Sequence, residues 1–135
     1  MIILEYSEER DFDRVELLYR DAQWMIYLED IERLRRAYQN SLIAFVAYDR
    51  EKLVGVVRAV GDGETILYIQ DIIVHSSSQR KNIGSKLILQ LLEKYSHIRQ
   101  IILLTENETK TIGFYDSLGF KDVDGLNCVA FAKIK

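Results

Sequence analysis

The spacing of hydrophobic and polar positions changes several times along the chain. The opening run IILEY, residues 2–6, predicts a strand, and the apolar residues of 8–22 then recur at helical spacing. Residues 28–38 repeat the helical spacing, with acidic and basic side chains on the other sides. Ser7, which two glutamates follow, is a suitable cap for the first helix. One strand followed by two amphipathic helices is therefore expected.

From residue 41 onward the spacing becomes strand-like. The runs SLIAFVAY, LVGVVRAV and TILYIQDIIV are separated by short, turn-forming connections. A helix over residues 83–95, a strand IRQIILL, a helix that ends at LGF and a final strand NCVAFAKI complete the pattern. The predicted order of elements is β-α-α-β-β-β-α-β-α-β.

The passage from TILYIQDIIV to IRQIILL contains a helix, so these two strands need a crossover connection. Crossovers join parallel strands, whereas short turns join antiparallel ones. The sheet should therefore be mixed, and helices should cover both of its faces. The sequence predicts an α/β (α+β) fold, a three-layer α/β/α sandwich around a mixed central sheet.

Composition narrows the class of protein. The chain of 135 residues has no proline and no repeat, which predicts a single domain over residues 1–135. Its formal net charge of -3 argues against a general nucleic-acid or membrane-surface binder. Cys128 is the only cysteine, so no internal disulfide can form, and no secretory signal or membrane-spanning run is recognisable. A cytoplasmic protein is expected.

Candidate chemistry lies at the junction between the strand TILYIQDIIV and the following helix. The first N–H groups of a helix lack internal partners and attract anions, and Gly84 would let a ligand approach the backbone closely. Gln79, Arg80, Lys81 and Lys86 add donors and positive charge around it. An ordinary solvated helix start is the alternative. A Walker motif and a dinucleotide fingerprint both fail, because their lysine and glycine positions are not matched.

The segment QRKNIGSKLI resembles the acyl-CoA-binding motif of the GNAT superfamily of N-acetyltransferases. Gln79, Asn82 and Gly84 occupy the defining positions of that motif, and YIQDIIV and TIGFYDSLGF resemble the family's central strand and later helix. The resemblance implies a GNAT-like fold and acetyl-CoA as co-substrate, without a metal. It also implies that the main chain of Ile72, Ile73 and Val74 contacts the pantetheine arm, and that the pyrophosphate is wrapped by Arg80, Lys81, Asn82, Ile83, Gly84 and Ser85.

Two positions depart from the family pattern. Asn82 stands where the motif has its first glycine, and asparagine is the residue other than glycine that best tolerates a left-handed backbone. Glu108 stands where the family often has asparagine, seven residues before Tyr115, with Asn107 one position earlier. Asn107 is the candidate for the cofactor contact on this segment, and a longer turn over TENETKT would bring either Asn107 or Thr109 to that place.

Acetyl transfer from a thioester needs a neutral amine, a stabilised carbonyl oxygen and a proton for the departing thiolate. The resemblance places Tyr115 near the sulfur as the proton donor; a packed helix aromatic is the alternative. A main-chain N–H near Val74 would polarise the carbonyl if the strand bulges there. Asp71 is the candidate base, because a carboxylate in an apolar run is costly unless it is solvated, paired or functional. Its alternative is a structural carboxylate at a strand end.

The remaining unusual residues give weaker signals. Cys128 is expected to be a buried structural thiol, and His75 and His97 have no metal-ligand spacing around them, so no metal is expected. By resemblance Trp24, Met25 and Tyr27 would form part of the acceptor pocket; an ordinary part of the core is the alternative. Glu29 and Asp30 beside them would favour a cationic amine.

The sequence thus predicts an N-acetyltransferase that moves an acetyl group from acetyl-CoA to a primary amine by direct attack in a ternary complex. A non-catalytic acyl-CoA sensor and a nucleotide-phosphate-binding protein are the alternatives. No nucleic-acid or membrane partner is expected, and an exposed sheet edge would permit a homodimer.

Overall fold

The structure, a computed structural model, describes residues 1–135 and divides into two compact units, Met1–Leu104 and Thr105–Lys135. The first unit holds most of the regular structure. Its helices and strands, in chain order, are β1 (Ile2–Glu5), α1 (Glu8–Asp21), α2 (Met25–Leu28), α3 (Ile31–Gln39), β2 (Ile43–Asp49), β3 (Lys52–Gly61), β4 (Ile66–Val74), α4 (Ile83–Lys94) and β5 (Gln100–Leu103).

The five strands form one sheet in the order β1-β2-β3-β4-β5. The first four strands pair antiparallel, while β4 and β5 pair parallel across the crossover through α4. The mixed sheet predicted from the sequence is confirmed. No helix is long and apolar enough to cross a membrane.

Helices cover the two faces of this sheet. Val56 of β3 belongs to the buried cluster that contains Phe12 and Val15 of α1 and Leu34 of α3. The neighbouring residue Gly55 faces α4, and neighbouring residues of a strand point to opposite faces. The order helix, sheet, helix therefore confirms the predicted three-layer architecture.

The first helix begins where predicted, but for a different reason. Ser7 occupies the cap position without using its side chain as a cap. The Ser7 main-chain N–H instead donates to the Asp11 carboxylate at 2.8 Å, and Asp11 is fully buried. The second predicted helix is interrupted: α2 is one turn, and α3 begins anew after Asp30, whose side chain accepts from the Arg33 N–H.

The second unit contains the helix α5 (Thr109–Ser117) and a short 3₁₀ turn, Val123–Leu126. The predicted final strand NCVAFAKI is wrong, since residues 127–135 have no regular structure. A strand needs a neighbouring strand for its hydrogen bonds, and this unit has none. The prediction of a buried Cys128 is also wrong, because the segment that carries it is exposed, with Phe131 at 94% exposure.

Candidate functional site

The central strand β4 is paired on both sides along only part of its length. Residues Ile66–Ile69 pair with β5, whereas the rest of the strand pairs with β3 but not with β5. Two neighbouring strands that part in this way leave main-chain groups without a ladder partner on that side. The second half of β4 is the segment that the sequence analysis assigned to the pantetheine arm.

The ladder with β3 indicates which main-chain groups face the β5 side. The His75 N–H donates to the Val54 carbonyl at 2.8 Å, and Ile73 lies opposite Val56 two residues further along the same ladder. Residues of an antiparallel pair alternate between facing the partner strand and facing away. The N–H and C=O of Ile72 and Val74 therefore point away from β3, while those of Ile73 point towards it. Of the three residues assigned to pantetheine, Ile73 has its main-chain N–H and C=O directed to β3, so only Ile72 and Val74 have main-chain groups free on the β5 side.

A bulge interrupts β4 just before this segment. Arg58 lies opposite Asp71, but the next residue of β3, Ala59, lies opposite Ile69, so Gln70 is the extra residue of β4. The bulge that would direct a main-chain N–H near Val74 to the carbonyl lies four positions before that residue. The extra residue turns Asp71 and Ile73 to the α1 face, although Leu67 and Ile69 point to the α4 face. The four buried odd-numbered positions of β4 are thereby divided between the two faces of the sheet.

The loop after β4 is fixed to the end of α1. The Asp21 carboxylate accepts hydrogen bonds from the main-chain N–H and the hydroxyl of Ser76, both at 2.8 Å. These bonds lower the pKa of Asp21, and the nearby His75 ring lowers it further. His75 in turn accepts from the Ser77 N–H. The hydrogen bonds of Ser76 to the last residue of α1 therefore fix the path of the chain as it leaves β4.

The loop enters α4 through two residues with a left-handed backbone. Arg80 has φ 74° and Asn82 has φ 59°, which confirms the left-handed conformation inferred for Asn82 from its residue type. The Asn82 carbonyl accepts the first helical hydrogen bond, from the Lys86 N–H at 3.0 Å. The Asn82 side chain makes no cap bond.

The beginning of α4 therefore presents main-chain donors that precede the first helical bond, namely those of Ile83, Gly84 and Ser85. The Ile83 side chain is buried, so only its main chain is suited to a ligand. Arg80, Lys81 and Lys86 are exposed beside these donors. Gln79 is exposed as well, and its amide lies 3.5 Å from the Val74 carbonyl. This donor set suits a phosphate or pyrophosphate group.

Asp71, the candidate base, lies in a buried hydrogen-bond network. Its carboxylate forms an ion pair with Arg58 at 2.8 Å and accepts from the hydroxyls of Tyr19 at 2.7 Å and Tyr27 at 3.0 Å. Burial disfavours the Arg58 charge, but the adjacent carboxylate outweighs it and raises the pKa of Arg58. Burial, with the neighbouring Tyr38 and Asp71, raises the pKa of Tyr19 well above its usual range. Because both carboxylate oxygens of Asp71 already accept hydrogen bonds and one also pairs with Arg58, the structural alternative for Asp71 is favoured over proton abstraction.

Tyr115 and Asn107 belong to the second unit. Tyr115 is 8% exposed and lies between the rings of Phe114 and Phe120, with centroid distances of 5.0 and 5.8 Å. Burial raises the pKa of the Tyr115 hydroxyl, and the Thr105 side chain opposes that change in part. The hydroxyl is therefore protonated at neutral pH, as a proton donor must be. Asn107 is exposed, and Glu108 precedes α5 without capping it.

Sequence reasoning overlooked the partners of Asp71. Arg58 is the one charge within the run LVGVVRAV, and that is a usable signal, because a buried guanidinium needs an anion. The tyrosine hydroxyls gave no such signal, since Tyr19 and Tyr38 fit an apolar helix face equally well. The structure also contains no group of three His, Cys, Asp or Glu side chains that could hold a metal ion.

The comparisons with known proteins agree on one family. A family model described as an acetyltransferase (GNAT) domain matches residues 40–122, more than half of the chain. A Gibberella zeae protein named as a candidate acetyltransferase is 29% identical over an alignment of 111 residues, and the match covers 76% of this chain but only 62% of that protein. The chain thus spans less than two thirds of the length of this curated relative.

Solved structures extend the comparison. A GNAT-family acetyltransferase from Streptococcus pneumoniae is 33% identical, with a TM-score of 0.85 over 99% of this chain and 98% of that one. An aminoglycoside 6'-acetyltransferase of type Ii is 27% identical, with a TM-score of 0.74 over 90% of this chain and 83% of that one. With the family model and the pneumococcal structure in agreement, the chain belongs to the GNAT acetyltransferase family.

Proposed function

We propose that this protein is an acetyl-CoA-dependent N-acetyltransferase that acetylates a primary amine by direct attack in a ternary complex. The observation that carries the proposal is the entry into α4. There a left-handed Asn82 and a basic loop present free main-chain donors directly after a β4 segment that has no β5 partner. The pyrophosphate of acetyl-CoA would bind these donors, and the pantetheine arm would bind the main chain of Ile72 and Val74.

In the proposed reaction, attack by the amine, stabilisation of the carbonyl oxygen and departure of the thiolate each involve a different chemical group. The neutral amine attacks the thioester carbon, a C–N bond forms, and the proton of the amine leaves to water. A main-chain N–H of the outward-facing β4 segment stabilises the oxygen that becomes negative. The C–S bond then breaks, and Tyr115 donates its proton to the thiolate of CoA. Asn107 is proposed as a further contact to the cofactor.

The first experiment is calorimetric titration with acetyl-CoA, with CoA, ATP and NAD run in parallel. Acetyl-CoA and CoA should bind, whereas ATP and NAD should not. Gly84→Val should abolish binding, because a branched side chain would stand at the second main-chain donor of α4. Gly113→Val is the matched control, because a Cβ at that helical glycine meets nothing within 4 Å. Retained affinity in the Gly84 variant would refute the pyrophosphate site.

Tyr115→Phe tests the proton donor. The ring and its packing between Phe114 and Phe120 are kept, so acetyl-CoA affinity should persist. Turnover, followed as CoA release, should fall by about 100-fold or more. Unchanged turnover would remove Tyr115 from the mechanism.

A non-catalytic acyl-CoA sensor is the second candidate function. It is favoured by the state of Asp71, whose ion pair with Arg58 leaves no free carboxylate base at that position. A sensor would bind acetyl-CoA and release no CoA with any amine. The amines to be screened include an aminoglycoside, because one structural relative is named for that activity.

A further inference from the structure

The one-turn helix α2 exposes an unusual amount of apolar surface. None of its residues is buried, and Met25 and Ile26 are 52% and 72% exposed. Trp24, at the start of the turn, is 36% exposed and stacks on Tyr27, with ring centroids 6.1 Å apart and an interplanar angle of 25°. We call the pair Trp24 and Tyr27 the aromatic shelf.

Hydrogen bonds and ring contacts from more buried residues hold the aromatic shelf in place. The Tyr27 hydroxyl donates to Asp71 at 3.0 Å and accepts from the Gln70 side-chain amide at 3.1 Å. Tyr19 packs edge-on against both rings, at 5.9 Å from Trp24 and 5.2 Å from Tyr27. Asp71 is itself held by the buried Arg58. An exposed Trp24 stacked on a half-buried Tyr27, with a buried polar anchor beneath, is preorganised for stacking on a ligand.

The anchor also fixes where the aromatic shelf lies. Gln70 is the bulge residue of β4. It lies two positions before Ile72, the first of the two residues whose main-chain groups face away from β3. A ligand on the aromatic shelf would therefore lie at the β4 bulge, next to the segment proposed for the acyl arm. This step depends on the proposed function, because only an acetyl donor bound along that segment makes the neighbouring surface the acceptor side.

We infer that the aromatic shelf of Trp24 and Tyr27 binds the acceptor, that the acceptor is a primary amine with an aromatic body, and that Asp71 is a positioning residue which holds Tyr27. The charges nearby agree with this class of amine. Asp71 is neutralised by Arg58, and Asp30 caps α3 through the Arg33 N–H. Glu29 and Asp30 are the exposed carboxylates that adjoin the apolar turn, and they favour a cationic ligand. An aromatic surface beside them suits an amine that carries a flat ring, whereas spermidine and kanamycin have no aromatic ring that could stack on it.

Trp24 is the only tryptophan of the chain, so its fluorescence reports directly on the aromatic shelf. Phenethylamine, spermidine and kanamycin are titrated into the protein saturated with CoA. Phenethylamine should change the emission saturably, and the other two amines should not at equal concentration. In CoA-release assays, Trp24→Ala should raise the KM for phenethylamine about 10-fold or more, without a change in acetyl-CoA affinity. An unchanged KM, or equal use of spermidine or kanamycin, would overturn the inference.

The positioning role is tested by Tyr27→Phe and Asp71→Asn. Both should raise the KM for phenethylamine, increase quenching of Trp24 by acrylamide and leave the pH profile of kcat unchanged. If Asp71→Asn removes an ionisation from that profile, Asp71 is a base and the positioning role is wrong. If Asp71→Asn does not fold, Tyr27→Phe decides alone, because it removes one hydroxyl. Tyr95→Phe is the matched control, because Tyr95 follows the last residue of α4, at the end away from the loop between β4 and α4. It should alter none of these quantities.

Failure of this inference differs from failure of the proposed function. A protein that binds no acetyl-CoA in the calorimeter loses both. A protein that binds acetyl-CoA and acetylates amines without any contribution from Trp24 loses only the aromatic shelf.

Discussion

Gly55 sets the distance between α4 and the sheet, and replacing it with alanine tests how α4 is positioned. A Cβ at this residue would lie 2.9 Å from Cγ2 of Ile83 and 3.0 Å from Cδ1 of Leu87. Ordinary contacts between carbon atoms are about 3.5–4.0 Å. Because both α4 side chains are buried, α4 would have to move away by roughly 0.5–1 Å or change rotamers.

The size of the effect follows from two opposing contributions. Overpacking a core by one methyl group costs about 1–3 kcal/mol. Replacing a strand glycine by alanine returns about 0.5–1 kcal/mol through the unfolded state. The difference is a net loss of roughly 0–2.5 kcal/mol in the free energy of unfolding, with about 1 kcal/mol at its middle. Since Ile83 is the first residue of α4, acetyl-CoA affinity should fall as well.

The assay is urea unfolding followed by far-UV circular dichroism, with acetyl-CoA titration of the folded variant. Gly113→Ala is the matched control, because Gly113 lies within α5 and its Cβ would meet nothing within 4 Å. That change should stabilise the chain by about 0.5–1 kcal/mol and leave acetyl-CoA affinity unaltered. If Gly55→Ala is stabilised as much as Gly113→Ala, the close approach of α4 does not constrain the helix.

Three further perturbations address the loop, the buried pair and an exposed turn. Asn82→Gly should retain stability and acetyl-CoA affinity, whereas Asn82→Val should cost about 1–2 kcal/mol and weaken acetyl-CoA binding in the same two assays, because a branched residue resists φ 59°. Arg58→Met should lower the free energy of unfolding by about 3–5 kcal/mol, because it leaves the buried Asp71 carboxylate without a cation. Adding Asp71→Asn should recover part of this loss. No recovery would contradict the argument that the unpaired charge causes it. The side chain of Thr65 and main-chain N–H groups of the same turn lower the pKa of Asp62, so its contribution to stability is present above the unfolded pKa of about 4 and is lost as the pH falls through the lower folded value. Asp62→Ala should therefore differ from the parent in urea midpoint at neutral pH, and the two midpoints should approach each other progressively below pH ~4.

The local part of the site could be predicted from the sequence because it depends on adjacent residues. The change from strand to helix spacing located the loop between β4 and α4, and the choice of asparagine at position 82 predicted its left-handed backbone correctly. The bulge could not be located in this way, since its position depends on the register between β3 and β4. A register is decided by the packing of two faces at once, which a single strand's pattern does not contain.

Non-local pairing also explains the other differences. Asp71 looked like an unpaired carboxylate because Arg58, its partner, lies 13 positions away on the neighbouring strand. The run NCVAFAKI has the alternation of a strand, but alternation provides no partner, and residues 127–135 remain without a ladder. Both cases show that a sequence pattern specifies what a segment could do, while its partners decide what it does.

The order of strands in the sheet has a consequence for synthesis of the chain on the ribosome. β2, β3 and β4 are neighbours both in sequence and in space, so they can pair as soon as they emerge. The parallel pairing of β5 must wait until α4 has been made and has crossed the sheet. A nascent chain halted before β5 would thus contain the four antiparallel strands β1 to β4, and the side of β4 on which the co-substrate is proposed to bind would be an open edge along its whole length. Until β5 arrives, that edge of β4 is open to pairing with other nascent chains, which makes it a site of aggregation during synthesis.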